Sequence, residues 1–172
     1  TLEKHTSHKH FQSLLDVLGK LRDVNLIFTM PNADSDSRII KQMISDFVNR
    51  YKERSLSFTS MGHLNYLSAL QFVDGVVGNS SSGLMEAPTF NIGTINIGDR
   101  QKGRLKAKNV INCEPTKESI QNAVDTLYSK DFQKMLQSVA NPYGEGDSTE
   151  KIMDVLKNEP IPEVTKKEFY DL

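Results

Sequence analysis

One cysteine, Cys113, stands alone in 172 residues, which excludes an internal disulfide. No apolar run approaches the roughly 18 residues that a membrane-spanning helix requires. An excess of either charge is also missing: 21 Lys and Arg are balanced by 22 Asp and Glu, for a net charge of -1. That balance carries no electrostatic footprint for nucleic acid or for an anionic membrane surface. No signal-peptide pattern opens the chain. Together these absences favour a reducing cytoplasm. His5, His8 and His10 form no zinc pattern and are expected to be solvated, and no metal site or cofactor motif is expected. Neither GxxxxGK[ST] nor GxGxxG occurs, which removes the two commonest glycine-rich phosphate loops. There is no internal repeat and no low-complexity segment.

What remains fits one ordinary globular domain: 37% hydrophobic and 25% charged residues, enough apolar surface for a single core. Phe11, Leu14, Leu15, Leu18 and Leu21 share one helical face, with Thr6 and Ser7 as candidate N-caps. Val24 to Met30 reads as a buried strand ended by Pro31-Asn32. Asp34, Ser35 and Asp36 can cap a second helix, whose apolar stripe runs through Ile39, Ile40, Met43, Ile44, Phe47, Val48 and Tyr51. Strands are expected at Leu56 to Thr59, Asp74 to Gly78, Thr94 to Ile97 and Asn109 to Cys113. Helices are expected over 63–72, from Leu84 onward, and over 117–128, 131–140 and 148–158. Cys113 reads as a small buried residue at a strand end. The charged stretch 160–172 reads as a tail beyond a domain of residues 1–159.

Strands alternating with helices predict an α/β fold, a Rossmann-like three-layer domain with a mainly parallel sheet. Ligands of such sheets sit at the carboxyl ends of the strands, near helix N-termini. This singles out the loops 30–36, 59–63, 78–83 and 97–103.

Gly78-Asn79-Ser80-Ser81-Ser82-Gly83 is the most informative of these. It joins a strand to a helix whose first N–H groups lack intrahelical partners. Three hydroxyls and two glycines suit a phosphate or diphosphate. The same residues would also serve as a serine-rich N-cap with nothing bound. Glu86, about one turn later, either accepts hydrogen bonds from a ribose diol or merely complements the helix dipole. His63 reads as a residue at a helix start, Met61 and Tyr66 as packing residues, and Lys102, Arg104, Lys106 and Lys108 as a solvated basic face.

The block Val76 to Arg104 (VVGNSSSGLMEAPTFNIGTINIGDRQKGR) resembles the nucleotide-binding segment of hydrolysing UDP-N-acetylglucosamine 2-epimerases. Thr29 to Ser37 (TMPNADSDS) and Ser60 to Leu70 (SMGHLNYLSAL) resemble two further segments of that family. Non-hydrolysing relatives carry an Asp-Ser-Gly-Gly type loop, so GNSSSG favours the hydrolysing branch. The resemblance implies a GT-B-like enzyme with two Rossmann-like domains, of which this chain is the C-terminal, UDP-binding half. By resemblance Ser80 and Ser81 would hold the diphosphate together with the loop backbone at Ser82 and Gly83. Glu86 would hold the ribose, the backbone at Ser60 to Gly62 the uracil edge, and Asn32 and Arg100 would stand near substrate. UDP and UDP-N-acetylglucosamine are the implied ligands.

The implied reaction removes the C2 proton of the sugar, expels UDP from C1, and adds water to the glycal to give N-acetylmannosamine for sialic or related nonulosonic acid synthesis. The carboxylate acid and base belong to the family's N-terminal catalytic domain, so no catalytic residue is expected in this chain, which alone should be inactive. Thr1-Leu2-Glu3 looks like the residues that follow the His of a His-Pro-Val-Thr motif on the domain's first strand, so that strand is expected to be missing. Its neighbours would then expose unpaired backbone groups, unless the pairing is repaired, another chain contacts them, or a longer chain supplies the strand. Two other readings stand beside this one: the UDP-sugar half of a GT-B glycosyltransferase, and a non-catalytic UDP-sugar binding module. N-acetylglucosamine or a diacetamido sugar, uridine or guanosine, and assembly into a homo-oligomer all stay open.

Overall fold

The computed structural model describes residues 6–31, 37–144 and 146–160. In chain order these form α1 (Ser7–Lys20), β1 (Leu26–Thr29), α2 (Ser37–Arg50), β2 (Ser55–Phe58), α3 (Gly62–Leu70) and β3 (Gly75–Gly78). Then come α4 (Ser82–Met85), a 3-10 helix (Ala87–Phe90), β4 (Gly93–Ile97), β5 (Val110–Cys113), α5 (Lys117–Leu127), α6 (Lys130–Leu136) and α7 (Ser148–Asn158). The alternation of strand and helix is that of the expected α/β domain.

All strand pairs are parallel, but they form two sheets: β1 with β2, and β3-β4-β5 in that order. Leu26 faces Ser55 in the first sheet, and Gly75 faces Gly93 in the second. Among the described residues, β1 and β3 each keep one edge unpaired, and no local repair joins them.

What unites the sheets is a helical layer. α1 packs on α2, which covers β2, and on α5, which covers β4 and β5. The stripe of α1 supplies Leu14, Leu15, Val17 and Leu18. These meet Phe47 of α2, Ile120, Ala123, Val124 and Leu127 of α5, and Ile95 of β4 in one buried cluster. Each fully buried aliphatic side chain of this kind stabilises the fold by about 1.5–3 kcal/mol. Arg54 fastens one corner: its guanidinium donates to the carbonyls of Leu18, Gly19 and Val24 and lies 4.6 Å over the Tyr51 ring. Close approach of α5 requires Gly93, where a Cβ would stand 2.2 Å from Leu127 Cδ1.

The capping chemistry follows the sequence. Thr116 accepts from the Ser119 N–H at the start of α5, and Ser129 accepts from the Phe132 N–H at the start of α6. The helix expected from Leu84 is shorter than its pattern suggests. α4 closes after four residues, and Pro88 at the start of the following 3-10 helix removes a backbone donor. α7 forms where expected and buries none of its residues among those described. No helix among the described residues is long and apolar enough to cross a membrane. The expected caps Asp34, Ser35 and Asp36, and the tail from 161 onward, lie outside the described residues.

Candidate functional site

The carboxyl ends of β3 and β4 carry the loops 79–81 and 98–109, and the serine loop sits at the first of them. Its position against the sheet is fixed by Gly83 and Thr94. Thr94 Oγ1 donates to the Gly83 carbonyl at 2.8 Å, in a buried bond. A Cβ on Gly83 would stand 2.5 Å from Thr94 Cγ2, so only glycine lets α4 start this close to β4. From behind, the Asn141 amide donates to the Met85 carbonyl at 2.9 Å and to Thr89 Oγ1 at 2.8 Å. A four-residue helix has little dipole of its own. Its place is therefore set by these side-chain bonds.

Within the loop, Ser80 Oγ accepts from the Ser82 N–H at 3.3 Å. The loop before α3 repeats the device, with Ser60 Oγ accepting from the Gly62 N–H at 3.2 Å. Gly62 holds φ +67, which glycine adopts without strain. Among the described residues nothing accepts from the N–H groups of Ser81 and Gly83. They leave the loop with unused backbone donors, which is the chemistry an anion needs.

Ser82 Oγ donates to the Glu86 carboxylate, and Tyr66 from α3 lies 2.5 Å from the same hydroxyl. Burial pushes the Tyr66 phenol up from its ordinary value, and the nearby Glu86 carboxylate adds to the rise. Glu86 itself is half-buried, at the junction of α4 and the 3-10 helix.

The sequence singles out Arg100, but the structure places its neighbour Gln101 at the loop. Arg100 is exposed and makes no hydrogen bond or ion pair with the described residues. Gln101 is 3% exposed, and its amide donates to the Asn79 carbonyl at 2.7 Å while its buried Oε1 has no partner among the described residues. Sequence reasoning missed Gln101 and the Tyr66–Ser82 hydrogen bond, reading Tyr66 as a packing residue. Asn32 lies outside the described residues. The backbone at Ser60 and Gly62 and the side chain of His63 are exposed at the end of β2 and the start of α3. In the basic run, Lys102, Arg104, Lys106 and Lys108 are all exposed, and Lys106 is tied to Asn112 Oδ1 at 2.9 Å. Cys113 ends β5 half-buried; burial, aided by Glu114, pushes its thiol up to about 11, which keeps it protonated and unreactive at neutral pH.

Glu86 is thus a carboxylate beside a loop of neutral donors, an arrangement suited to binding a phosphorylated diol. A family model described as UDP-N-acetylglucosamine 2-epimerase matches residues 1–157.

The chain belongs to the UDP-N-acetylglucosamine 2-epimerase family.

It is 36% identical over 173 residues to a Campylobacter jejuni protein named GDP/UDP-N,N'-diacetylbacillosamine 2-epimerase (hydrolyzing), covering 100% of this chain and 44% of that one. It is 33% identical to the Escherichia coli polysialic acid biosynthesis protein P7, again over 100% of this chain and 44% of the relative. A Methanocaldococcus jannaschii UDP-GlcNAc 2-epimerase, solved in complex with UDP-GlcNAc and UDP, superposes with a TM-score of 0.66 at 17% identity. That match covers 87% of this chain and 41% of the archaeal one. The shared fold is the Rossmann-like architecture of a GT-B-like epimerase. The chain spans less than half the length of the curated relatives it matches.

Proposed function

We propose that this chain is the C-terminal, UDP-binding half of a hydrolysing UDP-N-acetylglucosamine 2-epimerase. Residues 1–159 form the nucleotide domain and 160–172 a tail. The observation that carries the proposal is the serine loop at the end of β3, with no acceptor for the Ser81 and Gly83 N–H groups among the described residues and Glu86 one short helix away. In this reading the diphosphate accepts from those amides and from the Ser80 and Ser81 hydroxyls. Glu86 takes the ribose diol, the backbone at Ser60 to Gly62 meets the base, and Asn32 and Arg100 approach from the loops at the ends of β1 and β4.

The reaction follows from charge. A C2 proton with no adjacent carbonyl is a poor acid, so the departing diphosphate must be strongly stabilised, and that electrostatic work falls to this domain. The C1–O bond breaks as a base takes the proton from C2, UDP departs, and water adds to the glycal. The acid and base come from the N-terminal domain of the whole protein, which works in the cytoplasm and stays open to assembly with further copies. The 36% identity to the Campylobacter protein favours a second substrate, a 2,4-diacetamido sugar, at the same site.

With the intact protein, UDP-N-acetylglucosamine alone should yield N-acetylmannosamine and free UDP. Release that requires an acceptor would point to a glycosyltransferase, and binding without turnover to a non-catalytic module. By calorimetry Glu86→Ala should weaken UDP binding by about 1.5–3 kcal/mol, the worth of hydrogen bonds to a charged group.

A further inference from the structure

Glu86 is poorly placed to hold its own side chain still. It follows a helix of only four residues and precedes a 3-10 turn, at φ -106 and ψ -46. Its carboxylate is nevertheless anchored, and the anchor comes from another element. The Ser82 hydroxyl has one proton, and it is committed to Glu86 Oε2. The 2.5 Å contact between Tyr66 and Ser82 therefore runs with the phenol as donor, giving a directed chain from Tyr66 O–H through Ser82 O–H to the carboxylate. Each bond in such a chain polarises the next. Tyr66 is itself wedged against the small core of Leu70, Ala87 and Ile92, so the far end of the chain is rigid.

We infer that Tyr66 and Ser82 are positioning residues that lock Glu86 through one oxygen and leave the other to accept from the ligand's diol. The inference rests on the proposed nucleotide reading. It also moves Ser82 away from the diphosphate: its hydroxyl serves Glu86, and only its neighbours serve the phosphates.

The test compares the affinities of UDP and 2',3'-dideoxyuridine diphosphate for the intact protein, by calorimetry. The wild type should prefer UDP, and Glu86→Gln should erase the preference. Tyr66→Phe, which keeps the packed ring, and Ser82→Ala should each shrink the preference about threefold to tenfold, the effect of one ordinary hydrogen bond. Ser82→Thr should restore it. In a Glu86→Gln background, adding Tyr66→Phe should change nothing further. A simple packing role would lower affinity for both ligands alike and leave the ratio intact, which overturns the inference while sparing Glu86. If Glu86→Gln itself leaves the ratio unchanged, the ribose assignment falls and the positioning roles fall with it.

Discussion

The two sheets are built to different standards. In β4 four successive residues, Gly93 to Asn96, are buried, with α5 on one face and α4 on the other. In β1 burial alternates, and Ile27, Leu56 and Phe58 of the first sheet are 47%, 58% and 40% exposed. Parallel strands are normally covered on both faces. Here that holds for the second sheet, while among the described residues the first is covered by helices on one face. The serine loop rises from the second sheet. That loop is anchored, through Thr94, to the most buried strand among the described residues.

Three tests, the first a pair of substitutions, probe this contrast in order of the largest effect each expects. Ile95→Ala, at the centre of β4, should cost about 2–5 kcal/mol of unfolding free energy in denaturant, whereas Leu56→Ala on the exposed face should stay within about 0.5 kcal/mol. Equal losses would mean that the first sheet is as tightly covered as the second. Gly83→Ala forces a methyl into Thr94 and should destabilise by about 1–3 kcal/mol, with UDP affinity falling alongside. Retention of both would show that the loop can shift without consequence.

The smallest effect belongs to the link between the halves, the Lys117–Asp16 pair at 2.5 Å, which joins α5 to α1 across an exposed surface. The hydrogen bond from Lys117, aided by Gln12, holds the Asp16 carboxyl below its ordinary 3.8. A lowered carboxylate pKa stabilises the fold above the unfolded value, and the gain fades as pH falls from there through the folded value. Asp16→Asn should therefore cost at most about 1 kcal/mol at neutral pH, and the difference from wild type should vanish in acid. A difference that persists below the carboxylate range would assign the loss to packing instead.

Much of this was legible before any coordinates. The helical stripes through Leu14 to Leu18 and Ile120 to Leu127 are the ones that fill the core, because burial follows the 3.6-residue period. The serine loop and Glu86 stand where the pattern puts them, since a strand-to-helix connection has a fixed local form. The division into two sheets was not legible, because strand pairing depends on residues far apart in the chain. α4 is short because Pro88 lies just beyond it, a local cue whose effect on helix length is easily underweighted. Gln101 rather than Arg100 is buried against the loop because a turn decides which neighbour points inward, and charge alone does not reveal that. Tyr66 reaches Ser82 across 16 residues of chain, with no spacing rule to announce it.

The bond between Thr94 and the Gly83 carbonyl has one more consequence. Peeling the serine turn from the sheet would strand an acceptor and a hydroxyl in a water-free interior, which costs far more than lifting a surface flap. The turn should therefore open on the slow clock of local unfolding rather than flicker on nanoseconds. Under the proposed function, nucleotide would meet a cradle already formed and need spend little on shaping it.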